Sequence, residues 1–261
     1  MKWNYHTHTT RCHHADGTDE AYVQAAIQGG FDILGFADHA PWPFANGFVS
    51  RIRMGYEDFP NYVASVQALK KQYAGQIEIH LGLESEYFPR YRDHMLRMRD
   101  AGVEYFILGH HYCDSEEDNP YAGNECMTDD GVRRYADTLA KAVDTGLFCY
   151  VAHPDLFMRH RMDEDFNRCC EEASDTICQA AMEAGLPLEY NLEGLRCIIR
   201  EKTRGYPSRP FWEYARKWNN PVILGVDAHS PDALSDHELW QKGQQDVRKL
   251  GYTFLDSFRA C

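Results

Sequence analysis

The chain has 261 residues, with 27 Lys+Arg against 40 Asp+Glu for a formal charge of −13, and 44% of it is hydrophobic. That length and apolar content exclude a small staple-held scaffold and wholesale disorder. The acidic balance argues against nucleic-acid or anionic-membrane partners, whose phosphates would be repelled. The 13 histidines are the unusual count, and because imidazole is the commonest metal ligand their distribution matters more than their total.

Short β-branched or aromatic runs alternate with helical patterns from end to end. Strands are predicted at 2–6, 33–37, 77–83, 105–109, 148–152, 188–191 and 222–226. Helices are predicted at 18–28, 59–73, 91–100, 130–144, 165–183, 211–218 and 239–249, several ending at a glycine, and a short segment follows at 252–255. The connections 40–57 and 112–129 are long and rich in Pro, Gly, Asn and charge, a composition suited to lids or pocket walls. With no break in composition, the alternation predicts one α/β domain over residues 1–261, and seven repeats suit a closed barrel better than an open sheet. The N-terminus has no apolar signal region, and no run approaches a membrane span. The nine cysteines are scattered without a CxxC, so a reduced, cytoplasmic protein is expected.

The chemistry follows the strands. After the first come His6-Thr7-His8, His13-His14 and Asp16; the second ends at Asp38-His39 and the third at Glu84. The fourth is followed by His110-His111, the fifth by His153-Pro154-Asp155, the sixth by Asn191 and Arg196, and the seventh by Asp227-Ala228-His229. In a βα barrel the C-terminal strand ends converge on one face. So many imidazoles and carboxylates together would be costly to desolvate without cations. His80, His94, His160 and His237 fall out of phase and are expected to be ordinary hydrogen-bonded residues. The nitrogen and oxygen donors, with no cysteine among them, suit Zn, Mn or Fe. They exceed what one ion takes, so two or three divalent ions are expected, with Glu84 the natural bridge. Asp38 and Asp155 are expected to orient imidazoles rather than to ligate.

Taken in order, His6-Thr7-His8 with His14, Gly35-Phe36-Ala37-Asp38-His39-Ala40-Pro41, Gly82-Leu83-Glu84, Leu108-Gly109-His110-His111, Ala152-His153-Pro154-Asp155 and Asp227-Ala228-His229 resemble the PHP-domain phosphoesterases. Within that superfamily the chain is similar to the histidinol-phosphatase branch. The resemblance runs from residue 6 to about 230. It implies a distorted seven-stranded (β/α)7 barrel holding a trinuclear centre at the C-terminal strand ends. His6, His8, Glu84 and Asp227 would hold the first ion; Glu84, His111 and His153 the second; His14, His39 and His229 the third. Between His110 and His111, motif alignment favours His111. The implied reaction is metal-dependent hydrolysis of a small phosphate monoester, L-histidinol phosphate to L-histidinol in histidine biosynthesis, by a metal-bridging hydroxide. Glu84, Asp227 and His229 would stand at the reacting centre.

Phosphate recognition falls to Arg196 and Arg159, which match the family's phosphate-binding positions, with Arg161 competing with Arg159. Glu193 departs from the pattern: beside a phosphate pocket it must point away or meet a cationic amine. Three other readings remain open at this point. A PHP enzyme could act on a phosphodiester, nucleotide or sugar phosphate. An amidohydrolase-like hydrolase usually bridges its metals with a carbamylated lysine, and no lysine stands at a strand end. A metal-binding accessory domain would have lost ligands, and all nine positions are filled.

Overall fold

Parallel strand pairing organises the chain, as the strand–helix alternation predicts. The computed structural model describes residues 1–45, 47–202, 205–255 and 258–260. Its strands are β1 (Trp3–Asn4), β2 (Ile33–His39), β3 (Glu78–Ser85), β4 (Tyr105–Leu108), β5 (Leu188–Asn191) and β6 (Val222–Gly225). The helices are α1 (Asp19–Gln28), α2 (Phe59–Gln72), α3 (Arg92–Asp100), α4 (Ala122–Glu125), α5 (Asp129–Val143), α6 (Arg168–Glu183), α7 (Leu192–Arg196), α8 (Arg209–Ala215), α9 (Pro231–Ser235) and α10 (His237–Lys249). They belong to two compact units, one of residues 1–107, 225–238 and 258–260, the other of residues 108–224 and 239–255.

The first unit holds a sheet in the order β1-β2-β3-β4. β1 pairs with β2 and β2 with β3 in parallel, and the second register ends at His39↔Glu84. Every residue of β2 is buried, as expected of a parallel strand covered on both faces. Gly35 and Gly82 leave a notch for Tyr105. A Cβ on Gly82 would lie 2.2 to 2.5 Å from that ring, and the Tyr105 hydroxyl lies 2.8 and 2.9 Å from the carbonyl oxygens of Tyr5 and Phe36. Thr18 caps α1 by accepting from the Ala21 amide at 3.2 Å, the role its place before Asp19-Glu20 suggests.

In the second unit β5 and β6 form their own sheet, and α5 packs on α6. The helix predicted from 165 starts at Arg168, because 163–165 form a 3₁₀ turn and Asn167 is the cap, accepting from the Cys170 amide at 3.1 Å. The predicted strand at 148–152 is reduced to Val151, which bridges Leu108 and Leu188. The chain bends on both sides of it, at 149–150 and 152–153, so no continuous ladder forms. Segment 252–255 likewise contributes a single bridge, Phe254 to Val222. The described residues therefore show an α/β fold with a four-stranded and a two-stranded sheet, where seven strands were expected. Among them no helix is long and apolar enough to cross a membrane, and the eight described cysteines are free thiols.

Candidate metal centre

The donors of the first unit stand at or beyond strand ends, with His14 carried past the 3₁₀ turn at Thr10–Cys12. Alternation along the extended segment after β1 puts His6 and His8 on one face. Asn4 fastens that segment: its side chain donates to the His6 carbonyl at 3.0 Å and to Thr7 Oγ1 at 2.8 Å, and accepts from the Val226 amide at 2.8 Å. The backbone of 6–8 also pairs with Ala228, which brings Asp227 and His229 alongside. The His39↔Glu84 register sets those two side by side.

The result is a buried cluster. His6 Nε2 lies 3.4 Å from Glu84 Oε1 and 3.3 Å from Asp227 Oδ1. His8 Nε2 lies 3.4 Å from Glu84 Oε2 and 3.0 Å from Asp227 Oδ1, and His39 Nδ1 lies 3.0 Å from Glu84 Oε2. Burial penalises charge on His8, but Asp227, Asp38 and Glu84 outweigh it and raise the imidazole to about 9. A site that pulls a proton this strongly pulls a cation.

A second group lies beside it in the same unit. His14 Nδ1 lies 2.6 Å from the Cys12 carbonyl oxygen and His229 Nδ1 2.9 Å from that of Asp227. A carbonyl can only accept, so Nδ1 carries the proton in each ring and Nε2 presents its lone pair. Those two Nε2 atoms are 3.0 Å apart. Burial and the neighbouring His8 lower His229 to about 3, and burial also lowers His14, so a shared proton is not the remedy for the repulsion. Nitrogens each about 2.0–2.1 Å from one tetrahedral ion would sit roughly 3.3 Å apart. His14, His39 and His229 offer atoms within 4.8 Å of one another, as do His6, His8 and Glu84. The donor set fits divalent ions. Asp227 holds a left-handed φ of 51°, a strained conformation of the kind kept at functional positions.

Asp38 has the orienting place expected of it. It accepts from Thr9 through both the amide and the hydroxyl, and its Oδ1 faces His8 Nδ1 at 3.6 Å. Cys12 was not among the expected donors, yet its sulfur lies within 4.8 Å of His8 and His229 nitrogens. Burial and the adjacent Asp38 push this thiol far up. Its position between His8 and His14 was the available signal.

The second unit brings His111 and His153 together, with ring centroids 5.0 Å apart, and His153 has a left-handed φ of 29°. His110 turns to α5, with Nε2 2.7 Å from Thr138 Oγ1 and its ring against Tyr135. Arg161 is a buried staple, donating to the carbonyls of Cys126 and Asp165 and to Asp129. Arg159 lies over the Tyr206 ring, 5.4 Å from its centroid, and both arginines line a cavity of about 330 Å³ with Gly194, Cys197 and Glu201. Arg196 donates to Glu193 through Nε at 2.6 Å and through Nη2, so Glu193 is its ion-pair partner. Asp155 departs from its expected imidazole-orienting role. Its Oδ2 accepts from the Ser208 amide at 2.6 Å and Trp212 Nε1 at 3.0 Å, holding the start of α8, and burial raises it to about 6.

The pattern of one family, the PHP domain, matches residues 4–192. The chain belongs to the PHP family. A probable histidinol-phosphatase of Deinococcus radiodurans is 32% identical over 233 residues, 87% of this chain and 85% of that one. The histidinol-phosphatase of Bacillus subtilis is 25% identical over 258 residues, 88% of this chain and 94% of that one. The crystal structure of histidinol phosphate phosphatase from Lactococcus lactis, complexed with zinc, L-histidinol and phosphate, superposes with a TM-score of 0.74 at 19% identity, covering 99% of this chain and 97% of that one. At that identity the superposition supports the PHP fold, while the ligand chemistry rests on the donors above.

Proposed function

We propose that this PHP protein hydrolyses a small phosphate monoester, L-histidinol phosphate, to L-histidinol, with two to three divalent transition-metal ions. The observation that carries the reading is the buried convergence of His6, His8, His39, Glu84 and Asp227, with His14 and His229 adjoining. The matched relatives named histidinol-phosphatase support the substrate. Bound ions supply Lewis acidity: they bring the pKa of water towards neutrality and neutralise phosphate oxygens. His6, His8, Glu84 and Asp227 would hold one ion, and His14, His39 and His229 another. His111 and His153 are retained with Glu84 as the ligands of a further ion, supported by the family's motif order. Arg159 and Arg196 would bind the phosphate, and Glu193 holds the Arg196 fork in one orientation. Zinc, manganese and iron all suit these donors.

The family match runs through residues of both units, which supports treating residues 1–261 as one domain. The parallel order within the first sheet supports the distorted seven-stranded barrel. Free thiols among the described cysteines support the cytoplasmic assignment.

Metal analysis together with phosphate release tests the reading. Two to three ions per chain are expected, with faster phosphate release from L-histidinol phosphate than from other monoesters and diesters. One ion or none would overturn the multinuclear centre. An aryl phosphate hydrolysed equally well would overturn the substrate assignment.

A further inference from the structure

The long loop after β2 carries an arginine that the metal donors do not account for. Arg53 is 1% exposed, and Glu86, two residues beyond Glu84, is 0% exposed. Arg53 Nη2 donates to Glu86 Oε1 at 2.9 Å and Nη1 to Glu86 Oε2 at 3.1 Å, while Nη1 also donates to the Ala40 carbonyl at 2.9 Å. Ala40 follows His39 directly, and its amide donates to the Glu84 carbonyl at 2.8 Å. Trp42 reaches Glu86 Oε2 through Nε1 at 3.4 Å and stacks on Tyr91. One guanidinium therefore ties the backbone just after His39 to the carboxylate just after Glu84.

A buried ion pair is a weak source of stability, because desolvating both charges cancels much of their attraction. What this pair does supply is geometry. The planar fork spans both carboxylate oxygens and a carbonyl at fixed angles, which a lysine ammonium cannot reproduce. We propose that Arg53 and Glu86 are positioning residues of the metal centre, clamping the ends of β2 and β3 so that His39 Nδ1 and Glu84 Oε2 keep their 3.0 Å approach and each faces its own ion of the centre. The inference rests on the metal-centre reading and extends it to residues that touch no ion.

The test measures zinc dissociation constants, by competition with a chromophoric chelator, for the full chain and for Arg53→Lys, Arg53→Met and the double variant Arg53→Met/Glu86→Leu. Thermal melting of each zinc-free form runs alongside. Loss of a group that orients ligands weakens metal binding by about 10- to 100-fold. That loss is expected for Arg53→Met, with Arg53→Lys in between. The double variant leaves no unpaired buried charge, so it should melt near the wild type yet bind zinc as weakly as Arg53→Met. A folded double variant with wild-type zinc affinity would overturn the proposal. Should the double variant not fold, unchanged affinity in Arg53→Lys would overturn it. A wild-type chain that binds no zinc would overturn the metal-centre reading and the clamp together, whereas wild-type binding matched by every variant sinks the clamp alone.

Discussion

Replacing Glu84 by glutamine keeps the shape of the side chain and removes its charge from the middle of the centre. The carboxylate faces His6 and His8 at 3.4 Å and His39 at 3.0 Å, so an ion held by any of these rings lies against it. Two unit charges about 4 Å apart at an effective dielectric near 20 interact by about 4 kcal/mol. A loss of about 2.7 kcal/mol, roughly 100-fold in affinity, is therefore a conservative expectation. Zinc at about 100 times the wild-type dissociation constant stabilises the folded state by about 2.7 kcal/mol per ion, and a site weakened about 100-fold retains only about 0.4 kcal/mol. An unfolding entropy of about 2.1 cal/mol/K per residue, taken over 261 residues, is about 0.55 kcal/mol/K. Each ion should then raise the melting temperature of the wild type by about 5 °C, and each of the two ions that Glu84 would hold by less than about 1 °C in Glu84→Gln. Differential scanning calorimetry of chelator-treated protein, with and without added zinc, reads this directly. A Glu84→Gln variant that keeps the whole zinc-dependent rise would show that Glu84 is no ligand.

Two further outcomes test the periphery. Arg196→Ala should raise KM for the phosphate ester by about 10- to 100-fold, the worth of one or two charge-assisted hydrogen bonds, with a smaller effect on kcat; steady-state kinetics with an unchanged KM would remove Arg196 from phosphate binding. At the surface, burial works against the charge of Glu104, but hydrogen bonds from His80, Lys70 and the Leu81 amide outweigh it and hold the carboxyl at about 2. Its folded value lies below the unfolded one of about 4.3, so its contribution is present above pH of about 4.3 and is lost as pH falls towards 2. Urea unfolding at several acid pH values should show Glu104→Gln losing less stability than the wild type over that window; identical slopes would refute the assignment.

The candidate donors were legible because parallel strands buried on both faces read as unbroken apolar runs, and polar residues at their ends stand out. His39 and Glu84 at the ends of β2 and β3 could be placed from the runs 33–37 and 77–83 alone, although both strands extend two residues further than predicted. The segment 148–152 looked equally strand-like, yet bends on either side of Val151 leave it single bridges. Periodicity registers composition and is blind to such bends. The polar partners were the least legible part. Nothing near Asp155 in the chain announces that it will hold Ser208, 53 positions away, and nothing near Arg161 announces its bonds to Cys126 and Asp129.

By itself the sequence determined the fold class, the family and the residues that supply nitrogen and oxygen donors, since each follows from local pattern and motif order. The tertiary structure alone decided what those groups meet. It set two Nε2 lone pairs 3.0 Å apart on His14 and His229, turned His110 to Thr138, paired Glu193 with Arg196 and buried Arg53 against Glu86. A side chain's chemistry is written in its type, but its charge state and its partner depend on burial and on groups distant in the chain. Those are fixed only when the strand ends are packed together.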